Sequence, residues 1–215
     1  VGNQVIETIR QNKQQDRTNN LKSRAIELLQ KVKIASAEVR FNNFPHQMSG
    51  GMRQRAVGAI AIAGAPKVLI ADEATTSLDA TIQYQYLSLL KELQQDTGMS
   101  IIFITHGFGI VAKMCDRVAV MYAGRVAEIA EVRDLFNRPS HPYTEALMRS
   151  VPNVDEEVEY LYSIEGQPPA LDNLPQGCTF APRCPYVFDR CHQEFPPAVP
   201  VGEGHMATCW KLIGK

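Results

Sequence analysis

Apolar positions recur along this chain with two periods, and the change from one to the other outlines its elements. Residues 4–11 and 21–34 carry apolar side chains at helical spacing; in the second stretch Leu21, Ala25, Leu28, Leu29 and Val32 share a face. Between them NKQQDRTNN is polar and predicts an exposed loop. Pro45 and the Gly50-Gly51 pair punctuate the next segment, and Ser49 is a natural N-cap for a helix over residues 50–63. Pro66 stops that helix, and residues 67–71 have the length and apolarity of a strand buried on both faces. A helix over residues 81–97 comes after it, with Ile82, Tyr86, Leu90 and Leu93 on its apolar face and Gly98 as its stop. Residues 101–104 predict a second buried strand and residues 109–114 a short helix. Residues 117–122 and 125–129 predict two strands joined by a tight turn at Ala123-Gly124. The order β-α-β-α-β implies an α/β fold with a parallel sheet and helices on its faces. Short helices are expected over residues 132–137 and 143–150. After Pro152 prolines, glycines and cysteines dominate, and regular structure is expected to fade.

Composition narrows the classes. A chain of 215 residues buries a core as one domain with an appendage. A formal net charge of −1 gives no bulk attraction to nucleic acid or anionic lipid. The longest apolar runs are far too short to span a bilayer. The opening VGNQVIETIRQNKQQDR has no basic segment followed by an apolar one, so no secretory signal is expected. The first residue is not a methionine, and an upstream portion is expected to be missing. Of five cysteines, Cys115 stands apart as a small buried apolar residue, while Cys178, Cys184, Cys191 and Cys209 crowd the tail. In a reducing compartment clustered thiols suggest metal ligands before disulfides.

Three stretches carry candidate chemistry. Asp72 and Glu73 come directly after the first predicted strand, where open parallel sheets place their ligands. An Asp there can hold Mg²⁺ beside phosphates, and a Glu can polarise a water. Upstream, Ser49-Gly50-Gly51 at a helix mouth exposes backbone N–H groups, with the helix dipole adding positive character suited to a phosphate. Downstream, His106 ends the second predicted strand. Each alone has an ordinary explanation: a solvated turn, a capped glycine loop, a surface histidine. Their order and spacing argue against that.

Taken together, MSGGMRQR, VLIADEATTSLD and IIFITHGFGIV closely resemble the ATP-binding cassette (ABC) transporter ATPases. The resemblance implies a P-loop NTPase-like, RecA-like nucleotide-binding domain that lacks its N-terminal part. It has a helical subdomain over residues 1–57, a core over 58–136 and a cysteine-containing extension over 137–215. MSGGMRQR resembles the signature motif, with Met48 for the usual Leu and Met52 for the usual Gln. The resemblance implies that Ser49, Gly50, Gly51 and Gln54 close the ATP of an opposite subunit, with Asp79 of the Ser77-Leu78-Asp79 loop at the dimer interface. It further implies Asp72 near Mg²⁺, Glu73 acting on the attacking water and His106 on the γ-phosphate. Two positions depart from the family: Ala74 replaces a Pro and loosens the turn after the acids, and Gly107 replaces an Asp and adds backbone freedom beside His106.

No GxxxxGK[ST] phosphate cradle occurs in the sequence; its one Gly-Lys pair is Gly214-Lys215. Gln4 is not the family's Q-loop glutamine. Tight ATP binding by this chain alone is therefore not expected. The tail narrows the resemblance. RPSHPYTEALMRSVP, EGQPPAL and GCTFAPRCP resemble the extension of dipeptide, oligopeptide and nickel importer ATPases, with HPYT a marker of that subfamily and not a site. The thiol spacing C-x5-C-x6-C-x17-C is not that of compact zinc sites, and Pro185 comes after Cys184 as is common near iron–sulfur ligands. The alternatives are a [4Fe–4S] cluster, which the resemblance implies, free or disulfide-forming thiols, or zinc. The resemblance implies a peripheral ATPase at the cytoplasmic face of the inner membrane. It would be paired with a second ATP-binding subunit and with permease subunits, and served indirectly by an extracytoplasmic peptide-binding protein, with no nucleic acid partner. The rival expectation is a non-catalytic fragment or interaction module; a DNA-repair ABC ATPase fits less well, since no coiled-coil insertion comes after the helical subdomain.

Overall fold

A computed structural model describes residues 1–11, 20–76, 78–152, 160 and 162–214. It divides into two compact units, Val1–His106 and Gly107–Lys215.

The first unit begins with α1 (Gly2–Gln11) and α2 (Leu21–Lys31), whose apolar faces meet over Val5, Ile9, Ala25 and Leu29. Asn20 caps α2, its Oδ1 accepting from the Ser23 N–H at 3.1 Å. The remainder of the polar stretch, residues 12–19, lies outside the described residues. A short helix that periodicity does not announce, α3 (Ala37–Arg40), comes next. It leads to Phe41, whose ring lies so close to Gly2 that a Cβ there would sit 2.2 Å away. The helix α4 (Gly50–Ala63) starts on Ser49, as its capping residue predicts, and buries Ala56, Ala59, Ile62 and Ala63.

Beyond α4 lie β1 (Val68–Asp72), α5 (Ala80–Thr97) and β2 (Ser100–Ile104). Asp79 caps α5 through its carboxylate, and Gly98 ends it at φ 68°, the left-handed turn that favours glycine. β1 and β2 run parallel, Val68 opposite Ser100 and Asp72 opposite Ile104. The two strands are not buried on both faces. Val68 and Ile70 are 50% and 63% exposed, and Ile102 and Ile104 are 51% and 49% exposed. Alternate residues turn inward, Ala71 fully and Leu69, Ile101 and Phe103 in part.

The second unit comprises α6 (Phe108–Met114), β3 (Arg117–Tyr122), β4 (Arg125–Glu131), α7 (Val132–Asn137), α8 (Pro142–Ser150), α9 (Asp189–Gln193), β5 (Ala198–Gly202) and β6 (His205–Thr208). Here the third expected parallel strand is corrected: β3 pairs antiparallel with β4. The reason is local. Ala123 at φ 47° and Gly124 at φ 76° form the two-residue turn whose twist matches a hairpin, so the chain folds back on itself at once. The fading of structure after Pro152 is also corrected. β5 and β6 form a second hairpin that extends the sheet in the order β3-β4-β6-β5. Among the described residues small cores form over Val120, Ala130 and Leu135 under Tyr143 and Leu147, and over Ala181, Cys191 and Trp210 under Phe188.

An acid within the apolar strand β4 ties the second unit together. Glu128 is 1% exposed. Its carboxylate accepts from the Ser140 N–H at 2.8 Å, the His141 N–H at 2.9 Å and His205 Nε2 at 2.6 Å. His141 in turn caps α8, its Nδ1 accepting from the Tyr143 N–H at 3.0 Å. The HPYT stretch is thus a structural joint, which explains its helix-opening role without any ligand. Thr144 within it is wholly buried, and its Oγ1 has no hydrogen-bond partner among the described residues.

Candidate functional site

Side chains 33 positions apart in sequence meet at the carboxyl ends of β1 and β2, where His106 Nδ1 lies 3.3 Å from Glu73 Oε1. Both are open to solvent, as groups that act on a bound molecule must be. Asp72 closes β1 immediately before Glu73 and is exposed. Parallel pairing brings these groups together, because it aligns the carboxyl ends of both strands: the Glu73 N–H donates to the Ile104 carbonyl at 2.9 Å. Glu73 itself has φ 44°, a left-handed conformation that costs a non-glycine residue about 1–3 kcal/mol. A proline at 74 would drive residue 73 toward extended backbone. Ala74 imposes no such restriction, so the family departure at Ala74 has a direct backbone counterpart.

The glycine helix mouth has a second explanation that spacing does not reveal. Ser49 Oγ accepts from the Met52 N–H at 3.3 Å, leaving its hydroxyl hydrogen to donate. Gly50 has open space around its missing Cβ, whereas a Cβ on Gly51 would come 2.7 Å from Ile82 Cγ2. Gly51 is therefore required for the approach of α4 to α5, whatever binds at the helix mouth. Gln54 hydrogen-bonds the buried Tyr86, whose hydroxyl is raised above the usual phenol range by burial. Arg55 donates to the Val32 carbonyl at 3.1 Å and to Gln85 Oε1 at 3.4 Å. Asp79 spends one oxygen on the Ile82 N–H at 2.9 Å. Ser77 lies outside the described residues.

In the second unit Cys178, Cys184, Cys191 and Cys209 line one small cavity, with Lys211 and Tyr186 at its wall. The Cys178 N–H donates to the Cys191 carbonyl at 2.8 Å, which needs Gly177: a Cβ there would lie 2.3 Å from that same oxygen. Backbone N–H groups are aimed at three of the sulfurs, Phe180 and Ala181 at Cys178, Tyr186 at Cys184 and Lys211 at Cys209. Such donors favour thiolate over thiol. Burial works the other way, raising Cys178 and Cys184 and pushing Cys209 up to about 11. All five cysteines are unpaired. Among the described residues, no three His, Cys, Asp or Glu side chains are arranged to hold a metal ion. Cys115 is only half-buried, at the end of α6, and not the enclosed residue its sequence context suggests.

Residues 3–76 match the family model described as ABC transporter, and residues 127–191 match that described as oligopeptide/dipeptide transporter, C-terminal region. An oligopeptide transport ATP-binding protein of Bacillus subtilis is 47% identical, over 98% of this chain and 64% of its own length. A dipeptide transport ATP-binding protein of Lactococcus lactis is 47% identical, over 99% and 61%. An oligopeptide transport ATP-binding protein of Salmonella typhimurium is 42% identical, over 99% and 63%. The chain spans less than two thirds of the length of these relatives. Among solved structures, cbiO1 of Clostridium perfringens, part of an ABC transporter complex, matches at TM-score 0.50 and 32% identity, over 56% of this chain and 47% of its own. An ABC transporter in an inward-facing conformation matches at TM-score 0.58 over 75% of this chain and 62% of its own; at 22% identity it speaks for the fold alone. Parallel strands ending in an acid pair and a histidine, behind a serine-capped glycine helix, have the fold of an ABC ATPase cassette. The chain carries part of an ABC transporter ATP-binding domain together with the oligopeptide/dipeptide transporter C-terminal region.

Proposed function

We propose that this chain is the catalytic-carboxylate and signature portion of an ATP-hydrolysing subunit that drives import of di- and oligopeptides. The observation that carries the reading is the contact of His106 with Glu73 beside Asp72. Glu73 orients and deprotonates the attacking water, and His106 holds Glu73 and a γ-phosphate oxygen in register. Asp72, exposed at the strand end, fits a Mg²⁺ ion held directly or through water; the ion would supply charge neutralisation at the phosphates. Ser49, Gly50 and Gly51 offer donors to a nucleotide anchored by a second ATP-binding subunit, with Gln54 and Asp79 setting the helix mouth and the interface. Functionally the chain divides into residues 1–57, 58–136 and 137–215.

In this reading the subunit sits peripherally on the cytoplasmic face of the membrane, against permease subunits that an extracytoplasmic peptide-binding protein supplies. Among the described residues no helix is long and apolar enough to cross a membrane. A [4Fe–4S] cluster at the four cysteines is supported by their lining one cavity and by backbone donors facing three sulfurs, while the thiols as they stand form no group able to hold a metal. The cluster would supply metal–thiolate bonds that staple a segment with little core of its own. Zinc fits less well, since C-x5-C-x6-C-x17-C is not the spacing of compact zinc sites.

The test joins this chain to an N-terminal third of an ABC ATPase bearing GxxxxGK[ST]. Hydrolysis is expected from the joined protein. Glu73→Gln should lower kcat by about 10²-fold or more with ATP binding retained. Unchanged turnover in both Glu73→Gln and His106→Ala would refute the assignment.

A further inference from the structure

Among the described residues Cys178, Cys184, Cys191 and Cys209 form no group able to hold a metal ion, yet around their shared cavity they fall into two pairs. The backbone ties Cys178 to Cys191, the N–H of the first donating to the carbonyl of the second at 2.8 Å. Their side chains pack in one small core with Ala181 and Trp210. A side-chain contact ties the flanks of the other two. Lys211, two residues past Cys209, holds its Nζ 4.1 Å from the ring centre of Tyr186, two residues past Cys184. Burial raises Cys178 and Cys209; among the neighbouring thiols Cys191 acts on the first, and Cys184 acts most on the second. Exposure divides each pair in the same way. Cys178 and Cys184 are half-buried, whereas Cys191 and Cys209 are each 8% exposed. Each pair therefore joins a thiol that a small reagent reaches to one that it does not.

We propose that this site is a thiol–disulfide switch, closing as Cys178–Cys191 and Cys184–Cys209 when a low-molecular-weight disulfide such as glutathione disulfide is in excess. These steps need free thiols and do not rest on the cluster reading. The Cys178 sulfur, having lost its proton to solvent, attacks one sulfur of glutathione disulfide. That S–S bond breaks, and one glutathione leaves as a thiolate that takes up a proton. The Cys191 thiolate then attacks the Cys178 sulfur, forms the internal S–S bond and expels the second glutathione. Two protein thiols are oxidised, and one glutathione disulfide is reduced to two thiols. Cys184 and Cys209 react in the same way, with Cys184 as the point of entry. A reducing compartment keeps both pairs open. Closing the second pair ties the segment before α9 to the turn after β6 and leaves the unfolded chain fewer conformations.

The experiment treats the full chain, purified anaerobically, with glutathione disulfide. Remaining thiols are blocked with N-ethylmaleimide, and the protein is digested with trypsin and a glutamyl endopeptidase. Cleavage after Lys, Arg and Glu puts the four cysteines on separate peptides, 166–183, 184–190, 191–194 and 204–211. Four cysteines allow three pairings, so the peptide map discriminates among them. Mass spectrometry is expected to find 166–183 joined to 191–194 and 184–190 joined to 204–211, with Cys115 outside both. Cys178→Ser should lose the first link and keep the second, and Cys209→Ser the converse. The oxidised chain should have a urea midpoint about 1 M above that of the reduced chain, read from Trp210 fluorescence and reversed by dithiothreitol. Either of the other pairings would overturn the proposal. So would the absence of internal pairs, whether the thiols end as mixed disulfides with glutathione or stay held by bound iron. A lowered midpoint would overturn it as well, since the bonds would then have formed in a disrupted fold. Should a serine variant fail to fold, the wild-type peptide map decides alone.

Discussion

Replacing Glu128 by alanine should unfold the second unit far more readily than its conservative look suggests. The change strands two backbone N–H groups, of Ser140 and His141, and the His205 imidazole, all of which the carboxylate satisfies at 2.6–2.9 Å. Glu128 is 1% exposed and His205 4%, so water does not replace the lost acceptor without opening the fold. Each of the three abandoned buried donors costs about 1–3 kcal/mol. These overlap, and we expect a loss of about 4 kcal/mol, a large fraction of a stability that ordinarily totals about 5–15 kcal/mol. The chain has one tryptophan, Trp210, 5% exposed within the second unit, so its fluorescence in urea tracks that unit. With a slope of about 2 kcal/mol per molar urea the midpoint should fall by about 2 M. Glu128→Gln, which keeps one acceptor oxygen, should lose about half as much. A midpoint within about 0.3 M of wild type for Glu128→Ala, worth about 0.6 kcal/mol, would show that the three donors find other partners and that the joint is not what holds β4, β6 and α8 together.

Acid should weaken the same unit through His141. Burial lowers its pKa to about 4 from an ordinary 6.5, so between those values the unfolded chain binds the extra proton. Stability is then full above about pH 6.5 and falls as pH drops toward 4, by up to about 3 kcal/mol; urea midpoints at pH 7, 5.5 and 4.5 measure it, and a flat profile would exclude the effect. Gly177→Ala puts a methyl group 2.3 Å from the Cys191 carbonyl oxygen, so it should displace Cys178 and lower the urea midpoint of the second unit by about 0.5–1.5 M, read from Trp210 fluorescence. Gly51→Ala places its Cβ 2.7 Å from Ile82 Cγ2 and should cost about 1–3 kcal/mol in thermal melts. Pairing it with Ile82→Ala should recover part of that loss, and strict additivity of the two changes would argue against the contact.

How far the sequence discloses this molecule depends on whether the cause is local. Ser49, Asp79 and Gly98 act on their own neighbours, and the ends of α4 and α5 fall where those residues put them. The Ala123-Gly124 turn is equally legible as a turn. Its consequence is not, because a tight hairpin turn commits β3 to an antiparallel partner, while the sequence order suggests a third parallel strand. The hairpin of β5 and β6 is hidden for a related reason. Ala198–Gly202 contains Pro200, which weighs against a strand, yet β5 is the edge of its sheet, where a missing donor is tolerated. Glu128 leaves a signal that motif reading passes over: an acid between Ala127 and Ile129 in an apolar strand needs buried donors, and their source lies 12 to 77 positions away.

The same distinction separates two uses of the conspicuous residues. Glycine at 51 and histidine at 141 each satisfy a packing or capping demand that would exist without any ligand. Glu73 and His106 do not. Both are exposed, they stabilise little by their contact at a solvent-open surface, and Glu73 holds a strained backbone to make it. The same backbone conformation recurs at Lys33, Ser36, Ala65 and Ala123, so the strain of about 1–3 kcal/mol does not by itself single out Glu73; its exposed contact with His106 does. One substitution weighs the two uses directly. Glu73→Gly should relieve the left-handed strain and raise thermal stability of the first unit, while the ATPase completed with a P-loop segment loses turnover. If Glu73→Gly instead destabilises the unit, the contact with His106 is structural, and the case for a catalytic carboxylate at this position loses its physical basis.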